Sequence, residues 1–165
     1  MCKPMGWPVN KQLVNAGRKN PYKGLLSYGE ADKDVFKGRD TEKKELFKLV
    51  DYNFLTVLFG KSGIGKTSLL NAGLIPELRA NGFLPIRLRP DYSPAAPGLM
   101  EQVKKRIGEE LKKNKIKEIE KNGGANELDD RETLWEYFHR VEHIDDTGNK
   151  MITPVLVFDQ FEEIF

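Results

Sequence analysis

Apolar positions in this chain fall into two patterns, short continuous runs and stripes that recur every three or four residues. Phe54-Leu55-Thr56-Val57-Leu58-Phe59 and Val155-Leu156-Val157-Phe158 are continuous runs rich in β-branched and aromatic residues. Runs of this kind predict strands buried on both faces, as in a parallel sheet. Phe83-Leu84-Pro85-Ile86-Arg87-Leu88 predicts a further strand, with Pro85 arguing against an interior position. The stripes predict helices. Leu46, Phe47 and Val50 follow Asp40 or Thr41 as N-cap and lead directly into the first strand. Leu69, Leu70, Ala72 and Leu74 form a second helix, which Pro76 should end or kink, leaving Glu77 to Ala80 as a last turn. Met100, Val103, Ile107 and Leu111 mark a third, and Leu134, Trp135, Phe138 and Val141 a fourth.

Polar and breaker residues divide these elements. Residues 1–20 are rich in Pro, Gly, Asn and Lys with little periodicity and read as a loosely ordered arm, so the folded domain is expected over 21–165. Residues 20–28 are apolar enough to pack down, and 30–36 predict a short helical turn. Asp91 to Gly98 is a loop, 122–126 breaks the pattern, and 145–150 is a turn. The lysine-rich run 112–121 is interleaved with Ile116, Ile119 and two glutamates. It reads as a solvated helix end or loop rather than a nucleic-acid contact. His139 lies off its helix's apolar stripe and reads as a surface residue.

Composition narrows the class. With 39% hydrophobic and 32% charged residues, the chain is that of a soluble globular domain. Its 27 basic and 25 acidic side chains leave +2, so no global field recruits nucleic acid or a membrane. The single Cys2 excludes an internal disulfide framework and suits a reducing cytoplasm. No apolar run reaches the ~18 residues of a membrane helix, and the N-terminus lacks the apolar core of a secretory signal.

Candidate chemistry begins where the first strand ends. Gly60-Lys61-Ser62-Gly63-Ile64-Gly65-Lys66-Thr67 matches the phosphate-loop pattern G-x-x-x-x-G-K-[ST] in full, between a strand and a helix. Glycines at 60, 63 and 65 let amide groups approach phosphate oxygens, and Ser68 continues onto a helix N-terminus that favours an anion. Lys66 would place its ammonium on the β- and γ-phosphates, and the Thr67 hydroxyl would be a ligand of Mg2+. Asp159, capping the apolar run 155–158, would stand at the carboxyl end of a strand, where open α/β sheets place ligands. Its carboxylate would hold Mg2+ opposite Thr67. Hydrolysis also needs a group to orient water. Glu162 ranks slightly ahead of Glu163 for that role, although both equally suit the acidic first turn of a helix.

These stretches carry a family resemblance. Residues 20–25, 36–39, the loop with its trailing Asn71-Ala72-Gly73-Leu74-Ile75-Pro76, and Val155 to Phe165 occur in an order that resembles the novel STAND NTPases, relatives of the AAA+ ATPases. The resemblance implies a three-layer α/β/α P-loop NTPase with a mostly parallel sheet, binding ATP or ADP with Mg2+. It implies a signal-transduction switch, of the kind used in bacterial signalling and defence, that self-associates in its ATP state. It also implies that Phe36 and Arg39 line the adenine.

Two departures qualify the expectation. Many AAA+ relatives place Glu directly after the metal-binding Asp; here that residue is Gln160, whose amide cannot accept a proton, so turnover should be slow or rest on Glu162. In this class a later strand separates the Asp159 strand from the loop strand, so the sheet is expected to stop short, with its completion beyond Phe165. Three readings therefore stand: a slowly hydrolysing ATP switch, a nucleotide-binding or interaction module without turnover, and a DNA-associated ATPase acting through the 112–121 lysines.

Overall fold

The computed structural model describes residues 23–24, 26–121 and 131–159. It is a mixed α/β structure. A short 3-10 turn, Glu30–Asp32, precedes helix α1 (Asp40–Tyr52). One continuous helical stretch then runs through α2 (Lys66–Ser68), a π-helical segment (Leu69–Leu74) and α3 (Ile75–Ala80). Strand β1 (Phe83–Leu88), helix α4 (Leu99–Lys113), strand β2 (Lys117–Glu120), helix α5 (Leu134–Arg140), and strands β3 (Val141–Ile144) and β4 (Thr153–Phe158) follow.

β1 and β4 pair in parallel, in a register running from Phe83 opposite Thr153 to Leu88 opposite Phe158. Alternation along a strand sends successive side chains to opposite faces, and both faces of this pair carry helices. On one side Phe83 and Val155 pack against a buried cluster of Phe36, Leu46, Leu69, Ala72, Leu74 and Leu78. On the other, Leu84, Ile86 and Leu156 meet Val103, Ile107 and Leu111 of α4, together with Tyr137 and Val141. The i, i+4, i+8 spacing of those three α4 residues is what turns them to the sheet together. Each such side chain, withdrawn from water, contributes about 1.5–3 kcal/mol. β2 and β3 form a separate antiparallel pair, Lys117 opposite Ile144 and Glu120 opposite Val141.

Several expectations are corrected. Residues 54–59 are not a buried strand: no strand is assigned there, and Phe54, Leu55, Val57 and Phe59 are all exposed. Among the described residues nothing pairs with that backbone, and an extended segment becomes a strand only when a neighbour takes up its N–H and C=O groups. Of the two outcomes expected at Pro76, an end or a kink, the end does not occur, and Glu77 to Ala80 is the helix's last turn as expected. The helix passes through Pro76 because Ile75 N–H bonds to the Leu70 carbonyl, an i→i−5 bond that opens the π-helical register. A fresh α-helix then starts with Pro76 in its first turn, where the missing N–H is no loss.

α1 takes Arg39, not Asp40 or Thr41, as its N-cap residue. Lys117 to Glu120, expected in a solvated helix end or loop, is a strand because β3 pairs with it. Trp135 stands exposed off the α5 stripe, whose buried member is Tyr137. β4 is only partly buried, with Val157 enclosed and Phe158 at 36% exposure, because among the described residues β1 alone pairs with it.

Candidate functional site

The loop from Gly60 to Thr67 connects the extended run to α2. Gly63 and Gly65 have φ of +82° and +87°, the left-handed region that a side chain resists. Gly65 is the N-cap of α2, and its carbonyl accepts the first helical bond, from Leu69 N–H at 2.9 Å. The chain therefore turns directly from loop to helix. Gly60, Lys61, Ser62, Gly63 and Ile64 are exposed, while Lys66 and Thr67 are half-buried and Ser68 is buried.

Two cations are folded onto this loop. Lys66 Nζ donates to the Gly60 carbonyl at 2.8 Å and lies 3.4 Å from that of Lys61, so the ammonium closes the loop on itself. Arg39 Nη1 donates to the Ile64 carbonyl at 2.9 Å, while its Nε donates to Glu42 Oε1 at 3.1 Å. The segment before α1 and the loop are thereby tied together. Ser68 Oγ is taken by Tyr28 N–H at 3.1 Å. Phe36 lies below the surface, its ring 5.3 Å from that of Tyr28 in the cluster that supports the loop helix. Arg39 thus stands at the loop, whereas Phe36 packs beneath it.

Asp159 follows β4, and its N–H extends the ladder to the Leu88 carbonyl at 2.9 Å. It is buried, at 7% exposure. Two residues beyond Val157 and four beyond Val155, it shares their face of the sheet, the face packed against the loop helix. Its counter-ion is Arg87 of β1, whose Nη2 donates to Oδ2. That residue was not singled out in the sequence, although it is the one charge inside the apolar run 83–88. Gln160, Glu162 and Glu163 lie outside the described residues. An open hollow of about 400 Å3, lined by Arg89 to Ser93, lies just past the carboxyl end of β1.

A second polar cluster went unread in the sequence. Tyr137, fully buried, donates its hydroxyl proton to Glu118 Oε1 and sits 3.0 Å from His143 Nε2. With that proton committed to Glu118, the imidazole must carry its own on Nε2 and donate to the phenol oxygen. Burial holds His143 down at about 4 and pushes the Tyr137 phenol far up, the Glu118 carboxylate adding to the latter. Arg140 bridges Glu132, at 2.8 Å, and Glu120, at 2.6 Å, beside this cluster.

A glycine loop opening a helix, beside a parallel strand pair ending in a buried carboxylate, is an arrangement suited to binding an anionic ligand. The chain belongs to the Novel STAND NTPase 1 family, whose model matches residues 21–165. No curated protein and no solved structure matches it. Family membership makes it an NTPase-type module, and among the described residues no helix is long and apolar enough to cross a membrane.

Proposed function

We propose that this chain is the ATP-binding, slowly hydrolysing module of a STAND-type switch, built as the first part of a three-layer, AAA+-related P-loop domain. The observation that carries this reading is the placement of Asp159 on the face of β4 that packs against the helix opened by the glycine loop. Two elements far apart in sequence then serve one anion–metal site.

The side chains present fit that use. Lys66 is an ammonium whose current partners are two backbone carbonyls, which a phosphate would replace with a stronger, charge-assisted bond. The loop amides of 60–65 and the helix N-terminus would hold the phosphates, with Ser68 seated against Tyr28 to fix the first turn. Thr67 and Asp159 would hold Mg2+, an oxygen donor set of the kind that ion prefers. The metal, when bound, offsets phosphate charge and polarises the terminal group. Arg39 would reach the nucleotide beside Ile64, with Phe36 shaping that wall from below. Glu162 would orient water, and Gln160 beside Asp159 makes turnover slow. This chemistry belongs to a cytoplasmic signalling protein that self-associates through the same domain.

The test is calorimetry of ATP, ADP and GTP with Mg2+ on this chain and on Lys66→Ala. Adenine-nucleotide binding in the micromolar range, lost in the variant, supports the reading; equal affinity in both overturns it. A second reading, nucleotide binding without turnover, is favoured by the exposed run 54–59, which pairs with nothing among the described residues and leaves the entry to the loop unsupported. Steady-state phosphate release separates the two.

A further inference from the structure

Asp159 is a carboxylate enclosed at the end of β4, and a buried charge needs a partner. The partner here is Arg87, and its place is dictated by the sheet. Parallel register sets Arg87 opposite Val157, so both side chains leave the same face, and Asp159 leaves that face again two residues on. Of the two bonded side chains, Asp159 is 9% exposed and Arg87 37%. The backbone around Arg87 is held: its carbonyl accepts from Arg106 Nε at 3.0 Å, and the Leu88 carbonyl accepts from Asp159 N–H. The Arg87 side chain, by contrast, is partly open to solvent.

We infer that Arg87 is the resting counter-ion of the metal-binding carboxylate, exchanged for Mg2+ when the nucleotide site fills. The inference rests on Asp159 being a metal ligand, as in the reading above. The guanidinium holds the Asp159 carboxylate along the nucleotide face while the site lacks a metal. A divalent cation on the same carboxylate stands beside a like charge that repels it, so the guanidinium gives up Oδ2. Arg87 therefore acts through Asp159 as a positioning residue, and its release sets the metal requirement of the site. The linkage is reciprocal: whatever holds Arg87 on Asp159 weakens Mg2+ binding, and Mg2+ loosens Arg87 from β4.

The experiment is nucleotide calorimetry on the whole chain, with excess Mg2+ and with chelator, for wild type, Arg87→Gln, Arg87→Lys and Asp159→Asn. The readout is the ratio of ATP affinities with and without metal. Removing the competing cation in Arg87→Gln raises that ratio about fivefold, the lower end of ordinary coupling between sites, and Arg87→Lys keeps it near the wild-type value. A merely structural Arg87 would lower both affinities together and leave the ratio unmoved, which overturns the inference. In the Asp159→Asn background the Arg87→Gln effect disappears, because the residue through which it acts has lost its charge; persistence there overturns the inference too. Should Arg87→Gln fail to fold, as circular dichroism would report, Arg87→Met, which keeps the aliphatic stem and removes the charge, takes its place: the same rise in the ratio supports the exchange and an unmoved ratio overturns it. A wild-type chain that binds no nucleotide sinks the proposed function itself. A wild-type chain that binds with the ratio unchanged across the variants sinks only the role of Arg87.

Discussion

The glycine loop and the Tyr137 cluster are made of similar chemistry and do opposite things with it. At the loop, Lys66 and Arg39 are bonded to backbone carbonyls of an exposed turn. Those bonds are worth little net in water and are readily exchanged for a charged ligand. In the second cluster, Tyr137, His143 and Glu118 satisfy one another in the interior. Their bonds cannot be exchanged without leaving a buried polar atom alone, at about 1–3 kcal/mol. A titratable group with an abnormal pKa is often taken as a pointer to a functional site. Here the strongest displacements belong to Tyr137, His143 and Arg140, away from the loop, and their causes are burial and fixed partners. The contrast teaches that in this fold exposed groups with exchangeable partners and groups with displaced pKa values lie in different places, the first at the glycine loop and the second in the interior cluster.

The largest effect should come from breaking the interior cluster. Tyr137→Ala removes a fully buried aromatic ring and should reduce folding stability by about 3–5 kcal/mol, read by urea unfolding. Its consequence for nucleotide affinity should be nil in whatever fraction remains folded. A loss under about 1 kcal/mol would mean the cluster is not part of the folded core.

Next is the pH profile of the same cluster. His143 is neutral in the fold down to about 4, while the unfolded imidazole titrates near 6.5. Between those values the unfolded chain binds the extra proton, so stability should rise with pH and level off above the unfolded pKa. The size is roughly 2–3 kcal/mol across the window. Replacing His143 by Gln should flatten that slope, as unfolding at pH 4.5 and pH 7 would show. An unchanged slope would place the responsible proton elsewhere.

At the loop the expectation reverses. Lys66→Ala should weaken ATP binding by about 2 kcal/mol or more, on the scale of a charge-assisted bond, while leaving the unfolding midpoint where it was. If the variant unfolds early, the ammonium is part of the scaffold and the contrast between the two regions fails. The smallest effect should be on the exposed run. Phe59→Ser, at a position 85% exposed, should change stability by less than about 0.5 kcal/mol and reduce self-association in light scattering. A large destabilisation would show that 54–59 is packed in solution.

How far the sequence could be read depended on the range of the interactions involved. The loop was legible because its geometry is local: left-handed glycines at 63 and 65 and a helix opening at Lys66 follow from consecutive residues. The α4 face was legible from its helical period, and the strands from apolar runs at 83–88 and 155–158, the second of which starts two residues earlier, at Thr153. Local pattern misled where pairing or close packing decides. Phe54 to Phe59 has the strongest strand composition in the chain, and among the described residues no ladder is formed on it. Lys117 to Glu120 has a poor strand composition and is a strand, because β3 lies beside it. Trp135 took the place of Tyr137 in the predicted stripe because both fit a helical repeat of neighbours, and only burial distinguishes them.

By itself, then, the sequence determined the class of protein, the phosphate-loop pattern and the identity of Lys66, Thr67 and Asp159 as the groups to watch. Backbone dihedrals and side-chain periodicity, which fix those features, are properties of neighbouring residues. Tertiary structure alone decided that Arg87 meets Asp159, that Arg39 rather than Phe36 stands at the loop, and that Tyr137, His143 and Glu118 close on one another. Those meetings depend on strand register and on which faces are buried, quantities set by contacts between residues tens of positions apart.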